Sequence, residues 1–308
     1  MKIAIVQYAP EYLNLAGSVE KAGELIQKAK DLGANLVVFG EGWLSGYPVW
    51  LDYCPEVALW DHPGTKKVFA RLRKNSPLIP GKEIEKLGQW ARKYEITLVM
   101  GANERIDTGP GNGTLFNSLI IIGPDGTLLN HHRKLMPTYT EKMVHGLGDA
   151  NGLKPVNVEN VQIGGLICWE HWMPHARQAL HNQGEHIHIA AWPNVHEMHQ
   201  VASRHYAFEG RCFVVAAGQI LQAKDLPEEL ELPANLANNP NQFVLKGGSC
   251  VIGPDGKYIT EPIFECEKII IADIDPEKVY EERMTLDVSG HYQRNDIFSF
   301  EVNNKRRT

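Results

Sequence analysis

Cys168 has the strongest claim to chemistry in this chain. It closes the glycine and aliphatic run from Ile163, and Trp169, Glu170, His171, Trp172, Met173 and Pro174 follow at once. The run reads as the end of a buried strand. Pro174 suits the first turn of a following helix, where its missing N–H costs nothing. The thiol therefore stands at a strand-to-helix elbow, where backbone amides and a helix N-terminus are expected to lower its pKa and make it a nucleophile. Taken alone, the cysteine reads equally well as one more small buried apolar residue.

Three polar residues elsewhere could complete the chemistry. Glu41 stands just past Asn35–Phe39, Lys134 ends the stretch Thr127–Lys134, and Glu141 comes seven residues later, beyond Pro137. A cysteine nucleophile needs a base for its proton, and a carboxylate can serve. A fixed ammonium can stabilise negative charge that develops on the group attacked. Two adjacent glutamates would push their pKa values apart, giving one acid and one base. Each residue in isolation also reads as a solvated loop carboxylate or a surface lysine, and spacing does not show that the four converge.

The elements that would have to position them are legible from periodicity. Lys2–Tyr8 is a short buried strand. Val19, Ala22, Leu25, Ile26, Ala29 and Leu32 predict a helix that Gly33 ends. With the strand Asn35–Phe39 this makes a right-handed parallel crossover. Ligands sit beyond the carboxyl ends of such strands, where Glu41 stands. Gly42–Pro63, rich in aromatic residues and proline, reads as a packed loop that walls a pocket. Thr65–Asn75 and Glu83–Tyr94 are amphipathic helices, and Ile96–Asn103 is a strand. Leu115–Gly123 and Thr127–Lys134 form a hairpin about Pro124-Asp125-Gly126. The same IGPDG recurs at Ile252–Gly256, between Gly248–Val251 and Lys257–Thr260, and suggests two similarly built halves. Pro174–Asn182 and Met198–Arg211 are helices, with His186–Trp192 and Cys212–Gly218 as strands. Leu226–Asn241 reads as a mobile surface excursion. Lys268–Asp273 is a last strand and Pro276–Arg283 a short helix. Strands alternating with helices around two antiparallel hairpins predict an α/β protein built as a four-layer α-β-β-α sandwich. Residues 1–300 are expected to form one domain and residues 301–308 a short polar tail.

Bulk properties narrow the function classes. The chain has 308 residues, 43% hydrophobic and 22% charged, with net charge −6, which offers nothing for nucleic acid or an anionic membrane. The basic cluster Lys305-Arg306-Arg307 reads as a solvated end. Five widely spaced cysteines without a CxxC pair argue for reduced thiols and a cytoplasmic protein. Cys54, Cys212, Cys250 and Cys266 read as packing residues. The opening MKIAIVQ is a strand pattern rather than a signal peptide, and no apolar run approaches the ~18 residues of a membrane span. His196-Glu197-Met198-His199 is not HExxH, so a zinc protease is excluded, and no metal site is expected. His131-His132 reads as a polar edge. Gly109–Gly113 precedes a strand, so it is not a dinucleotide loop.

Three local patterns, in order, resemble the nitrilase branch of the carbon–nitrogen hydrolase superfamily. They are Gly40-Glu41 with Gly46-Tyr47-Pro48-Val49-Trp50, Arg133-Lys134-Leu135-Met136-Pro137-Thr138 with Glu141-Lys142, and Cys168-Trp169-Glu170 with Met173-Pro174. Gly146–Asp149, Ala190-Ala191-Trp192-Pro193 and Gly290-His291-Tyr292-Gln293-Arg294 also match, so the resemblance spans roughly the whole of Met1–Phe300. Trp169-Glu170 is similar to nitrilases, whereas aliphatic amidases and carbamoylases tend to carry other pairs there. Two departures are Gly40, where the family usually has proline and a looser loop is expected, and a short C-terminal end, which argues against filaments.

The resemblance implies a nitrilase, converting a nitrile and two waters to a carboxylic acid and ammonia. Glu41 would be the base, Cys168 the nucleophile, Lys134 with the Trp169 N–H the stabiliser of charge on nitrogen, and Glu141 the residue that positions the second water. A thioimidate and then a thioester would form, with no metal or organic cofactor. Tyr47, Trp50, Trp169, His171 and Trp192 are expected to wall a pocket for an apolar or aromatic nitrile. The alternatives are an amidase or N-carbamoyl hydrolase with the same residues, a cyanide or nitrile hydratase stopping at the amide, and a non-catalytic relative that kept the fold. Family members pair through helices near the nucleophile, so a homodimer or larger homo-oligomer through Pro174–Asn182 and Met198–Arg211 is implied.

Overall fold

The computed structural model describes residues 1–306. The end of the expected tail, including Arg307, lies outside the described residues. The strands are β1 (Lys2–Gln7), β2 (Leu36–Phe39), β3 (Thr97–Arg105), β4 (Leu115–Ile122), β5 (Leu128–Arg133), β6 (Val156–Val158), β7 (Val161–Ile167), β8 (Ile187–Ala191), β9 (Phe213–Ala217), β10 (Ile220–Gln222), β11 (Phe243–Ile252), β12 (Tyr258–Phe264) and β13 (Lys268–Asp273). The helices are α1 (Leu15–Asp31), α2 (Trp50–Tyr53), α3 (Pro63–Lys74), α4 (Lys82–Tyr94), α5 (Pro174–His181), α6 (Glu197–Gly210), α7 (Ala234–Ala237) and α8 (Lys278–Arg283). The first helix starts four residues before the periodic stripe, because the Asn14 side chain accepts the Gly17 N–H at 3.1 Å and caps it there. None of these helices is long and apolar enough to cross a membrane.

Two sheets result. One has the order β13-β1-β2-β3-β4-β5, and the other β10-β11-β9-β8-β7-β6, with β12 beside β11. Within each, three parallel strands (β1, β2, β3 and β7, β8, β9) lead on to an antiparallel hairpin (β4–β5 and β11–β12). The two IGPDG turns close these hairpins, so the repeated pentapeptide marks a repeat of the whole strand plan. Alternation along the strands sets the layers. Ile3 and Ile5 of β1 face a core shared with Leu166, Ile189 and Val215 of the other sheet. Ala4 and Val6 face Ala22 and Ile26 of α1 and Leu87 of α4. On the far side Ala176 and Leu180 of α5 and Ala202 and Tyr206 of α6 cover the second sheet. This is the expected α-β-β-α sandwich.

Three local expectations need correction. The 226–241 segment is not a free excursion: Leu226, Leu230 and Leu236 are buried against Val57, Val68 and Val244. Cys266 is exposed rather than packed. Arg306 is no solvated end, since its guanidinium reaches Asp149 at 3.2 Å and the His131 carbonyl at 2.8 Å.

Candidate active site

Glu41, Lys134 and Cys168 follow the carboxyl ends of β2, β5 and β7. The backbone around each is fixed before any side chain is considered. A Cβ on Gly101 of β3 would overlap the Gly40 carbonyl and lie 2.7 Å from the Gly42 nitrogen, so only glycine lets the Glu41 loop cross there. The Glu41 N–H donates to the Trp192 carbonyl at 3.3 Å, and the Gln219 side-chain amide donates to the Glu41 carbonyl. Gly40 is seated closely, with an added Cβ 3.1 Å from the Trp192 oxygen. Lys134 donates its N–H to the Asn117 carbonyl at 2.8 Å, and its neighbour Arg133 is held by the buried Glu104 carboxylate, with Nε to Oε2 at 2.8 Å. Cys168 itself has φ of +52°, a strained conformation for a side-chain-bearing residue. It opens a tight 3-10 turn, Cys168–Trp172.

The four side chains meet. One ligating atom each from Glu41, Glu141 and Cys168 lie within 4.8 Å of one another. Lys134 Nζ bridges the carboxylates, 2.9 Å from Glu41 Oε1 and 2.9 and 2.7 Å from the two Glu141 oxygens. All four residues are buried. Asn117 Nδ2 also donates to Glu41 Oε1 at 2.7 Å, while Glu41 Oε2 has no hydrogen-bond partner among the described residues. One oxygen of Glu41 thus accepts two hydrogen bonds and the other accepts none among the described residues.

The electrostatics separate the two carboxylates. Burial pushes Glu41 up to about 7, Lys134 pulling against it and Glu141 adding to it. Burial also raises Glu141, but Lys134, His145 and the Thr138 N–H overcome this and hold it below the usual carboxylate range. The Cys168 thiol is not lowered as the elbow suggested. Burial and the neighbouring Glu41 push it well up, outweighing Lys134 and the Trp169 N–H. The thiol is therefore held in its protonated form, with the Glu41 carboxylate close by.

Sequence reasoning missed several supports. Glu170 accepts the Leu135 and Ile167 N–H groups, each at 2.7 Å, and His132 Nε2 at 2.9 Å. One buried carboxylate therefore ties the residue after Lys134 to the residue before Cys168. His132, expected at a polar edge, is buried in this cluster. The only sequence signal was its place in the Cys168-Trp169-Glu170 motif. The Tyr47 hydroxyl donates to Glu141 Oε1 at 2.9 Å, and Tyr47 also lines the cavity.

That cavity, about 400 Å³, opens over Cys168 and Glu141. Of the five expected wall residues, Tyr47 and Trp169 line it, and Trp50, His171 and Trp192 do not. Trp50 is fully buried. Trp192 stacks between His171 and His199, at centroid distances of 4.6 and 4.3 Å, and His199 is the member of this stack that reaches the cavity. Tyr53, Tyr139, Val49, Val244 and Leu245 add to the apolar lining.

The family model for carbon-nitrogen hydrolase matches residues 2–284. The chain is 36% identical over 307 residues to a protein named Nitrilase 2 from an unknown prokaryotic organism, covering 99% of this chain and 93% of that one. It is 33% identical to an aliphatic nitrilase of Sinorhizobium fredii (strain HH103), covering 100% and 97%. The fold superposes on a carbon-nitrogen hydrolase from Helicobacter pylori G27 with a TM-score of 0.69 at 20% identity, over 96% of each chain. The chain belongs to the carbon–nitrogen hydrolase family, in its nitrilase branch.

Proposed function

We propose that this chain hydrolyses a nitrile to the carboxylic acid and ammonia through a thioester on Cys168. The observation that carries this reading is the buried cluster itself: a thiol and two carboxylates within 4.8 Å, with an ammonium between the carboxylates. Glu41 takes the thiol proton as sulfur bonds to the nitrile carbon. One C–N π bond breaks, and the negative charge on nitrogen is met by Lys134 and the Trp169 N–H. The proton held by Glu41 passes to that nitrogen, which gives the thioimidate and restores the Glu41 carboxylate. Water, deprotonated by Glu41, adds to carbon, and the resulting tetrahedral centre carries sulfur, oxygen and nitrogen. The nitrogen takes up both protons of that water, one by way of Glu41 and one from the hydroxyl, and leaves as ammonia as the C=O of the thioester forms. A second water, activated by Glu41 and positioned beside Glu141, adds, and loss of the thiolate releases the acid. Loss of the thiolate at the first tetrahedral centre would release the amide instead.

The names of both sequence relatives support a nitrile as substrate. The lining of Tyr47, Tyr53, Tyr139 and Trp169 around about 400 Å³ supports an apolar or aromatic substituent. We also infer that the chain pairs through α5 and α6, because Met198, Val201 and Phe208 of α6 are about half exposed (54, 52 and 49%). A panel of matched nitriles and amides, with ammonia, acid and amide all quantified, tests the reading. Ammonia and acid from arylaceto- or alkyl nitriles, at rates well above those for acetonitrile, support it. Turnover of amides alone would replace it with an amidase, and amide as the sole product with a hydratase.

A further inference from the structure

Behind the nucleophile lies a line of buried polar groups that the mechanism above does not use. His171 Nδ1 is 2.6 Å from the Cys168 carbonyl oxygen. His171 Nε2 is 3.0 Å from His188 Nε2. His188 Nδ1 is 3.1 Å from both Glu185 oxygens, and the Tyr206 hydroxyl donates to Glu185 Oε2 at 2.6 Å. All four side chains are at least 98% buried. Gly164 of β7 makes the space, since a Cβ there would overlap the Glu185 carboxyl. The line is also stacked in place, His171 on Trp192 and His188 on Tyr206 at 3.7 Å.

Hydrogen-bond accounting fixes how many protons the line holds. The Cys168 carbonyl can only accept, so His171 carries hydrogen on Nδ1. If His171 is neutral, its Nε2 is bare and His188 must donate from Nε2. If His188 is neutral too, its Nδ1 is bare, and the donor must be a protonated Glu185. Ionising Glu185 without moving its proton to an imidazole would leave one of these contacts with no hydrogen between two acceptors. Burial agrees with the neutral form: both imidazoles are pushed well below the usual histidine range, and the Glu185 carboxyl is pushed up to about 7. The ionisable groups facing the line from neighbouring elements are His181, Cys212 and Arg283 at Glu185, and His132, Glu170 and His199 at the imidazoles.

The far end of the line is the peptide that joins Cys168 to Trp169. In a trans peptide the C=O and N–H point in opposite directions. Holding the Cys168 carbonyl back towards His171 therefore turns the Trp169 N–H forward, towards the sulfur and the charge that forms beside it. We propose that His171, His188, Glu185 and Tyr206 are positioning residues: a relay that stores one proton and orients the Cys168–Trp169 peptide so that its N–H serves the reaction. The N–H's role in turnover rests on the functional reading above, but its effect on the thiol does not.

The test is therefore the rate of Cys168 alkylation by iodoacetamide at pH 6, below the value of about 7 to which Glu185 is raised, read by peptide mass spectrometry on folded protein, as judged by thermal unfolding. His171→Leu and His188→Phe break the relay and are expected to slow labelling about tenfold or more, the loss of one hydrogen bond to an anion. His171→Asn keeps a donor at the Nδ1 position, and Glu185→Gln keeps the donor that a protonated carboxyl supplies. Both are expected to label within about threefold of wild type, and Glu185→Ala to label as slowly as His188→Phe. Wild-type labelling in His188→Phe would overturn the proposal. So would Glu185→Gln labelling as slowly as Glu185→Ala, which would mean that the charge and not the proton is needed. If His171→Leu does not fold, His188→Phe and the Glu185 pair decide. No nitrile enters this assay, so a wild type without nitrile turnover would overturn the functional reading and leave the relay result intact.

Discussion

Replacing Glu170 by alanine should damage stability and catalysis together, although its carboxylate touches no reacting atom. It is 1% exposed and accepts two backbone N–H groups at 2.7 Å and an imidazole at 2.9 Å. Truncation strands all three donors in the interior. At about 1–3 kcal/mol for each unsatisfied group, and allowing for relaxation, the cost is about 3–5 kcal/mol. The strands it ties together end at Lys134 and Cys168, so a drift of about 1 Å between them should lower kcat about 100-fold. Urea unfolding gives the first quantity and steady-state kinetics the second. Burial alone would raise this carboxyl, but His132 and the two amides hold it below the usual range. A depressed folded pKa means that the stabilisation is fully present above the unfolded value and is lost as pH falls through the folded one. The gap between wild type and Glu170→Ala should therefore be widest near neutrality and close in acid. A variant less than about 1 kcal/mol weaker at neutral pH, with kcat intact, would refute the clamp.

Further outcomes follow from the same geometry. With Glu41 raised to about 7, its basic form fills as pH rises through that value, so kcat/KM should climb through neutrality and then level. Glu41→Gln should lose about 10²–10⁴-fold in rate and the acid limb with it. Lys134 lowers the Glu41 pKa, so in Lys134→Met any residual activity should show its acid limb displaced to higher pH; an unmoved limb would separate the two residues. Light scattering should find a dimer or a larger assembly, with Phe208→Glu shifting it towards monomer, and a monomeric wild type would contradict the pairing through α6.

Much of this was legible in the residues, because strand and helix patterns are local. Ile3, Ala4, Ile5 and Val6 split between two faces as a period of two requires, and the IGPDG pair marked both hairpins. Glu41, Lys134 and Cys168 stood out because each follows the end of a strand, and Glu141 because it comes seven residues after Lys134. Their supports did not, because those depend on pairings that no local pattern encodes. Asn117 and Gln219 reach Glu41 across 76 and 178 residues, and His132 reaches Glu170 across 38. Trp50, His171 and Trp192 are aromatic residues beside the motifs, yet burial depth, which sequence does not carry, sets them behind the cavity wall. The thiol misled for the same reason: its elbow was visible, while its burial and the Glu41 charge beside it, which keep the proton on sulfur, were not.

The central claim is that Cys168 sulfur bonds covalently to the substrate carbon. Quenching the enzyme in acid during turnover of an arylacetonitrile, then measuring the mass of the peptide that contains Cys168, tests it most directly. The peptide should gain the mass of the acyl or imidoyl group, and Cys168→Ala should show neither adduct nor turnover. Hydrolysis at the wild-type rate by Cys168→Ala would contradict the account.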